Sequence, residues 1–270
     1  MVSGDTLTGP AEPKTHGRAV LLAGPGTATD IVANFLHSRV AELVVIVEDP
    51  PSRLHMARRR ARRVGWLSAV GQVLFVAALI PVLRYQGARR RADILRAASL
   101  DTTHRAPDHS VQSVNDEETR ALLASLRPTA VVVQGTRIIG SRLLDSVDCP
   151  LINMHAGITP RYRGVHGGYW ALAEQHPEWV GTTVHLVDPG IDTGGVLAQA
   201  TFDVSDEDSI ATYPDLHLVH GLPLLGAEVD KVMAGRRPEP KAEGLAPGSG
   251  LYYHPTLWGY LLRRWRHGVR

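Results

Sequence analysis

The chain has 270 residues, 44% of them hydrophobic and 21% charged, with a formal net charge of +2. These values fit one globular unit of domain size, with an appendage at most, and exclude a strongly basic or acidic field over the whole molecule. The single cysteine, Cys149, excludes an internal disulfide and any multi-cysteine metal site; it suits a reducing compartment and reads as a small core residue.

Residues 1–17 are polar and rich in Gly, Thr and Pro, without the apolar core of a secretory signal. They are expected to form a disordered tail, and the protein is expected in the cytoplasm. Residues 18–24 (RAVLLAG) read as a buried first strand. Ile31, Val32, Phe35 and Leu36 have helical spacing over 27–37. Residues 42–48 (ELVVIVE) form a β-branched second strand. Strand, glycine-rich turn, helix and strand in that order predict an α/β fold with a doubly wound, mostly parallel sheet.

Residues 53–105 read as a helical, basic insertion. Arg58, Arg59, Arg60, Arg62 and Arg63 precede an uncharged stretch, 65–83, and Arg84, Arg89, Arg90 and Arg91 follow it. The stretch approaches the length of a membrane-crossing helix. Ser68, Gly71, Gln72 and Pro81 dilute its apolarity, and arginines on both flanks give no topological preference. The preferred reading is a helix packed on the body or on a partner subunit, with contact to a membrane surface as the lesser alternative. Further strands are expected at 110–114, 130–134, 150–154, 182–187 and 196–204, the last with one wet face. Asn115 with Glu118 resembles a capping box opening a helix over 116–126. A helical stripe over 216–234 is broken by Pro223, and residues 235–270 are rich in Pro, Gly and aromatics. The core is thus expected over 18–205, with a C-terminal helix and extension over 206–270.

Three places carry chemistry. The turn Gly24-Pro25-Gly26-Thr27 presents backbone N–H groups and a helix start to an anion, or is a plain tight turn. It lacks the third glycine of a dinucleotide fingerprint, and nothing ties the nearby Glu48 or Asp49 to a ribose. Asn153 and His155 fall at the carboxyl end of an expected parallel strand, where open sheets place ligands. Asp192 lies in a Gly- and Pro-punctuated loop after a later strand. Taken singly these are a turn cap, a satisfied histidine and a turn residue. Together an amide, an imidazole and a carboxylate at strand exits suit acyl transfer to an amine. The amide or imidazolium stabilises charge on the carbonyl oxygen, and histidine with carboxylate moves the proton. No covalent nucleophile is apparent.

The segments VVVQGTRII (131–139), INMHAGITPRYRG (152–164) and GTTVHLVDPGIDTGGVLAQ (181–199) resemble the folate-dependent formyltransferases. That family includes the glycinamide ribonucleotide, methionyl-tRNA and sugar N-formyltransferases. The resemblance covers about a quarter of the chain and implies a Rossmann-like core with Asn153, His155 and Asp192 catalytic. It implies that Gln134, Gly135, Thr136, Arg137, Ile138, Ile139, Val187, Asp188, Gly190 and Ile191 line a 10-formyltetrahydrofolate pocket. Gly24, Gly26, Thr27, Thr159, Tyr162, Arg163 and His185 are assigned to the amine side. No metal is expected.

Two departures bear on the acceptor. The first loop reads GPGTAT, not the form that grips a ribonucleotide phosphate, and the chain is short for the tRNA enzyme's C-terminal domain. The expected acceptor is therefore a small-molecule primary amine, such as an amino sugar or biosynthetic intermediate. The insertion's arginines offer a partner for a phosphorylated or nucleotide-linked one. No nucleic-acid partner is expected; a homodimer is allowed. The competing readings are a formyltetrahydrofolate hydrolase of the same fold and a non-catalytic, membrane-peripheral folate binder.

Overall fold

A computed structural model describes residues 15–50, 65–242 and 244–270. The arginine cluster at 58–63 and most of the expected tail, residues 1–14, lie outside them. Residues 15–17 do not belong to a tail, because the first strand already starts at Thr15.

The chain runs β1 (Thr15–Ala23), α1 (Thr27–Arg39), β2 (Val40–Glu48), α2 (Trp66–Gln86), α3 (Ala88–Ala97), β3 (His109–Val111), α4 (Glu117–Leu126) and β4 (Ala130–Gln134). It continues with α5 (Ser141–Leu144), β5 (Leu151–His155), β6 (Arg163–Gly164), α6 (Gly167–Ala173), β7 (Gly181–Leu186), β8 (Val196–Thr201), α7 (Tyr213–Met233), β9 (Leu251–Tyr252) and α8 (Leu257–His267). Seven strands make one sheet in the order β3-β2-β1-β4-β5-β7-β8. Its first five members are parallel, and β7 runs against both neighbours. This is the doubly wound, mostly parallel α/β architecture. β6 and β9 form a separate two-stranded parallel ribbon.

Apolar residues on successive positions of the central strands explain why the sheet is covered on both faces. Leu21 and Val132 point to one side, against Ile31, Val32 and Leu36 of α1 and Leu218, Leu222, Leu225 and Val229 of α7. Val20, Leu22, Val131 and Val133 point to the other, against Leu123 of α4 and Leu143 of α5. Each such side chain contributes roughly 1.5–3 kcal/mol on full burial. A third cluster ties Phe75 of α2 to Tyr169 of α6, Tyr213 of α7 and Tyr260 of α8.

Three local expectations are corrected. α7 runs through Pro223 without interruption. The hydrogen bond lost there is outweighed by packing along both halves of the helix. Asn115 is no cap: its amide donates to Ile138 O (2.9 Å) and accepts from Gly140 N (2.7 Å), pinning the loop after β4. β8 ends at Thr201, although the alternation beyond it is real, with Phe202 buried and Thr201 and Asp203 exposed.

The insertion is helical over 66–86 and 88–97 but not over 98–105, and its arginines at 90 and 91 are committed to the body. Arg90 grips Asp208 with two hydrogen bonds (2.9 and 3.1 Å) and Arg91 grips Asp215 with two (2.6 and 3.2 Å). Both aspartates are buried, so these bidentate pairs fix α3 on α7 and its N-terminal approach. They do not wait for a phosphate.

Candidate active site

β5 ends on Asn153, Met154 and His155, and β7 lies antiparallel beside it with Asn153 opposite His185 and His155 opposite Thr183. Because β7 is reversed, its end, Leu186, lies beside Ile152 and not beside His155. The loop 187–194 doubles back to deliver Asp192, so the set does not arise from three strand exits on one rim. Asp192 takes a left-handed backbone (φ 50°) in making that return.

Two carbonyls fix the histidine tautomers. His185 Nδ1 lies 2.7 Å from Leu186 O. A carbonyl only accepts, so Nδ1 carries the hydrogen and Nε2 is bare. Asn153 Nδ2, 3.1 Å away, therefore donates to His185 Nε2. Nδ2 has a second hydrogen, which this contact does not use. His155 Nε2 likewise donates to Tyr162 O at 2.8 Å. Its Nδ1 is then the lone-pair nitrogen, facing Asp192 Oδ2 at 3.4 Å. That distance exceeds an N–H···O hydrogen bond, as expected while the imidazole is neutral.

The electrostatics agree. Burial pushes the His155 pKa down; the Asp192 charge and the Tyr162 carbonyl oppose that push without reversing it. Burial alone would raise the Asp192 carboxyl. The flanking His185 and His155 imidazoles and the N–H donated by Gly164 (2.9 Å) outweigh it and hold the carboxyl below its usual value. At neutral pH the pair is imidazole and carboxylate. Gly164 earns its place twice. Its φ is +94°, and an added Cβ would lie 2.2 Å from Tyr252 O.

These groups open into a cavity of about 560 Å³, within the range of small-ligand sites. Asn153, His155, His185 and Asp192 line it, with residues 134–139 on one side and Val187, Asp188, Gly190 and Ile191 on the other. Every position assigned to the folate side thus reaches this one cavity. Arg137 shapes its wall by an ion pair to buried Glu48 and by hydrogen bonds to Asp49 O (2.8 Å) and Gln112 O (3.0 Å). Glu48 is therefore engaged. Asp188 organises the other wall by accepting from Gly190 N (3.0 Å) and Thr193 Oγ1 (2.7 Å).

The amine-side assignments fare differently. Of them only His185 lines the cavity. Gly24 is packed behind it, its N–H donated to Gln134 O (3.0 Å), and Gly26 and Thr27 are exposed at the start of α1. Thr159 is buried with its N–H on Thr183 Oγ1 (3.1 Å). Tyr162 is buried and acts through its carbonyl. Arg163 reaches Ile191 O (3.3 Å), bracing the returning loop. These last three support the site from behind. The sequence reading missed the third wall, Leu251, Tyr252 and Tyr253. β9 brings it there by pairing with β6, and only the aromatic richness of 235–270 hinted at it. Cys149 is half-buried and burial pushes its thiol up to about 11, so it is an inert packing residue. Among the described residues no group of His, Cys, Asp and Glu could hold a metal.

A family model described as "Formyl transferase" matches residues 68–217, more than half of the chain. A methionyl-tRNA formyltransferase from Thermodesulfovibrio yellowstonii is 32% identical over 125 residues, covering 46% of this chain and 40% of that protein. The chain thus spans well under two thirds of the length of this curated relative. A sugar N-formyltransferase from a Shewanella species superposes with a TM-score of 0.51 at 17% identity, covering 84% of this chain and 75% of that one. A glycinamide ribonucleotide transformylase from Symbiobacterium toebii does so with a TM-score of 0.52 at 18% identity, covering 84% and 94%. At such identities these two structures speak for the fold alone.

Proposed function

The chain belongs to the formyl transferase family, and from that premise we propose that it moves a formyl group from 10-formyltetrahydrofolate to a primary amine of a small molecule. The observation that carries the proposal is the convergence of Asn153, His155 and Asp192 on one cavity, with the histidine held neutral and the aspartate ionised. The apolar edges Val133, Ile138, Ile139, Val187 and Ile191 suit a flat heteroaromatic ring, and residues 134–139 and 187–191 would hold the formyl donor.

In this reading the amine nitrogen bonds to the formyl carbon and the bond to the folate nitrogen breaks. The free Nδ2 hydrogen of Asn153 meets the charge growing on the formyl oxygen. The amine must lose a proton and the leaving nitrogen must gain one. His155 Nδ1 accepts that proton, Asp192 beside it stabilises the imidazolium, and the proton returns to the leaving group. His185 holds the Asn153 amide in the orientation this requires. Tyr252 and Tyr253, on the remaining wall, would face the acceptor.

The test is formyl transfer from 10-formyltetrahydrofolate to a panel of amines, including nucleotide-linked amino sugars and aminoacylated tRNA. Transfer to a small amine is expected. Exclusive turnover with the tRNA would overturn the acceptor assignment, and formate release without any amine would replace transfer by hydrolysis.

A further inference from the structure

The outer surface opposite in character to the cavity is built by α2 and α8. α2 is inverted. Trp66, Leu67, Val70, Val73, Leu74, Ala77, Ala78, Pro81, Val82 and Tyr85 recur at helical spacing and are all exposed. The helix's one interior amide, Gln72, is buried at 5% exposure. α8 repeats the pattern with Trp258, Leu261, Leu262 and Trp265 exposed at i, i+3, i+4 and i+7, two of them tryptophans at 45% and 80%. The Trp258 ring lies over Gly71, where an added Cβ would meet it at 2.4 Å, and so joins the two stripes into one face. A contiguous apolar face of this kind marks an interaction site.

The charge pattern selects the partner. No Asp or Glu occurs between Asp49 and Asp93, or after Glu243, although 27 occur elsewhere in the chain. Those two carboxylate-free segments are the ones that carry α2 and α8, and they hold 14 of the 29 basic residues. Arg84, Arg89, Arg264, Arg266 and His267 are exposed around the apolar face. We infer that this face docks on an anionic lipid bilayer, seating its tryptophans and leucines in the headgroup region and its arginines against lipid phosphates. A second copy of the chain is disfavoured, since two arginine-rich rims would meet.

The helix lies on the bilayer and does not cross it. α2 is the only described helix long and apolar enough to cross. The strands before and after it, β2 and β3, are paired in the same sheet and must stay on one side. A single crossing between them would separate them, and the preceding residues 51–64 carry six arginines and cannot supply a second. Phe75 and Leu83, moreover, are buried in the body.

The inference is independent of the catalytic reading and is tested without it. The full chain is floated on a density gradient with vesicles of phosphatidylcholine and phosphatidylglycerol in equal parts, and with phosphatidylcholine alone. It should float with the anionic vesicles and bind the neutral ones at least tenfold less. Replacing Leu67→Gln, Leu74→Gln and Trp265→Gln together should cut the anionic partition at least tenfold with an unchanged circular dichroism spectrum. Arg264→Glu with Arg266→Glu provides a second, charge-only variant with the same expected direction. Failure to float, equal flotation with both lipids, or a variant that floats like the parent overturns the inference. A dimer by light scattering that the triple variant dissociates, without flotation, assigns the face to a second copy instead.

Discussion

The cavity and the α2–α8 face invert each other. In the cavity, amide, imidazole and carboxylate groups are drawn inside and each is tied to a named partner. Asn153 is held by His185, His155 by the Tyr162 carbonyl and Asp192 by the Gly164 N–H. On the outer face, tryptophan, leucine and valine stand in solvent while Gln72 is buried. Burying polar groups costs free energy that their partners offset, and exposed apolar groups forgo the gain of burial. A chain that accepts both has placed fixed chemistry in one region and unsatisfied apolar surface in the other. Changes in the first should therefore be felt in turnover, and changes in the second hardly at all in stability.

The largest expected effect comes from breaking the first region. His155→Ala and Asp192→Ala should each lower kcat at least about 10²-fold, equivalent to about 2.7 kcal/mol of barrier. A variant near full activity in single-turnover assays would remove that residue from the chemistry. Next is the seam that joins the regions. Asp215→Ala leaves the Arg91 guanidinium without its bidentate partner and should destabilise the fold by about 2 kcal/mol in denaturant titrations. A loss equal to that of an exposed residue would show that α3 is not clamped.

Acid sharpens the contrast, because it reaches the buried His217 and the half-buried His166. Burial lowers His166 to about 4 and His217 to about 3, from 6.5. The unfolded chain then takes up protons first as the pH falls. Stability is complete above about 6.5 and drains below it, by up to about 1.4 kcal/mol per pH unit for each histidine. Melting temperatures between pH 7 and 4 read this directly, and His217→Gln should flatten the slope. In the same titration His155, followed by NMR, should protonate below 6.5, and lower still in Asp192→Asn, which removes the charge opposing burial. An upward move would reverse the roles given to this pair. The smallest effect belongs to the second region: Leu67→Gln or Val73→Gln should change stability by less than about 0.5 kcal/mol. A large loss in either would mean that α2 is core.

The contrast also explains what could be read from sequence. β1, β2, β4 and β5 announce themselves through short, largely apolar runs, because a strand covered on both faces favours apolar residues; β7, with Thr182, Thr183 and His185, does so less. Asn153, His155 and Asp192 stand out through their loops, and the two walls at 134–139 and 187–191 are contiguous in sequence. What could not be read depends on distant pairings. Nothing local says that β7 is reversed, that residues 251–253 close the cavity through a ribbon of two residues per strand, or that Gly24 backs onto Gln134. Asn115 looked like a cap because its spacing to Glu118 is right. Its true partners, Ile138 and Gly140, lie over twenty residues away. Likewise Arg90 and Arg91 looked available to a ligand because Asp208 and Asp215 are far along the chain.

The β6–β9 ribbon brings a distant part of the chain to the cavity. The groups proposed to react lie between residues 153 and 192, whereas the third wall comes from 251–253. The two parts touch through the backbone, where Tyr252 O accepts from Val165 N (3.1 Å) beside the Gly164 N–H that holds Asp192. In the proposed reading the Tyr253 side chain is therefore the place to change the acceptor, while the ribbon's backbone must be kept because it steadies the loop that holds Asp192.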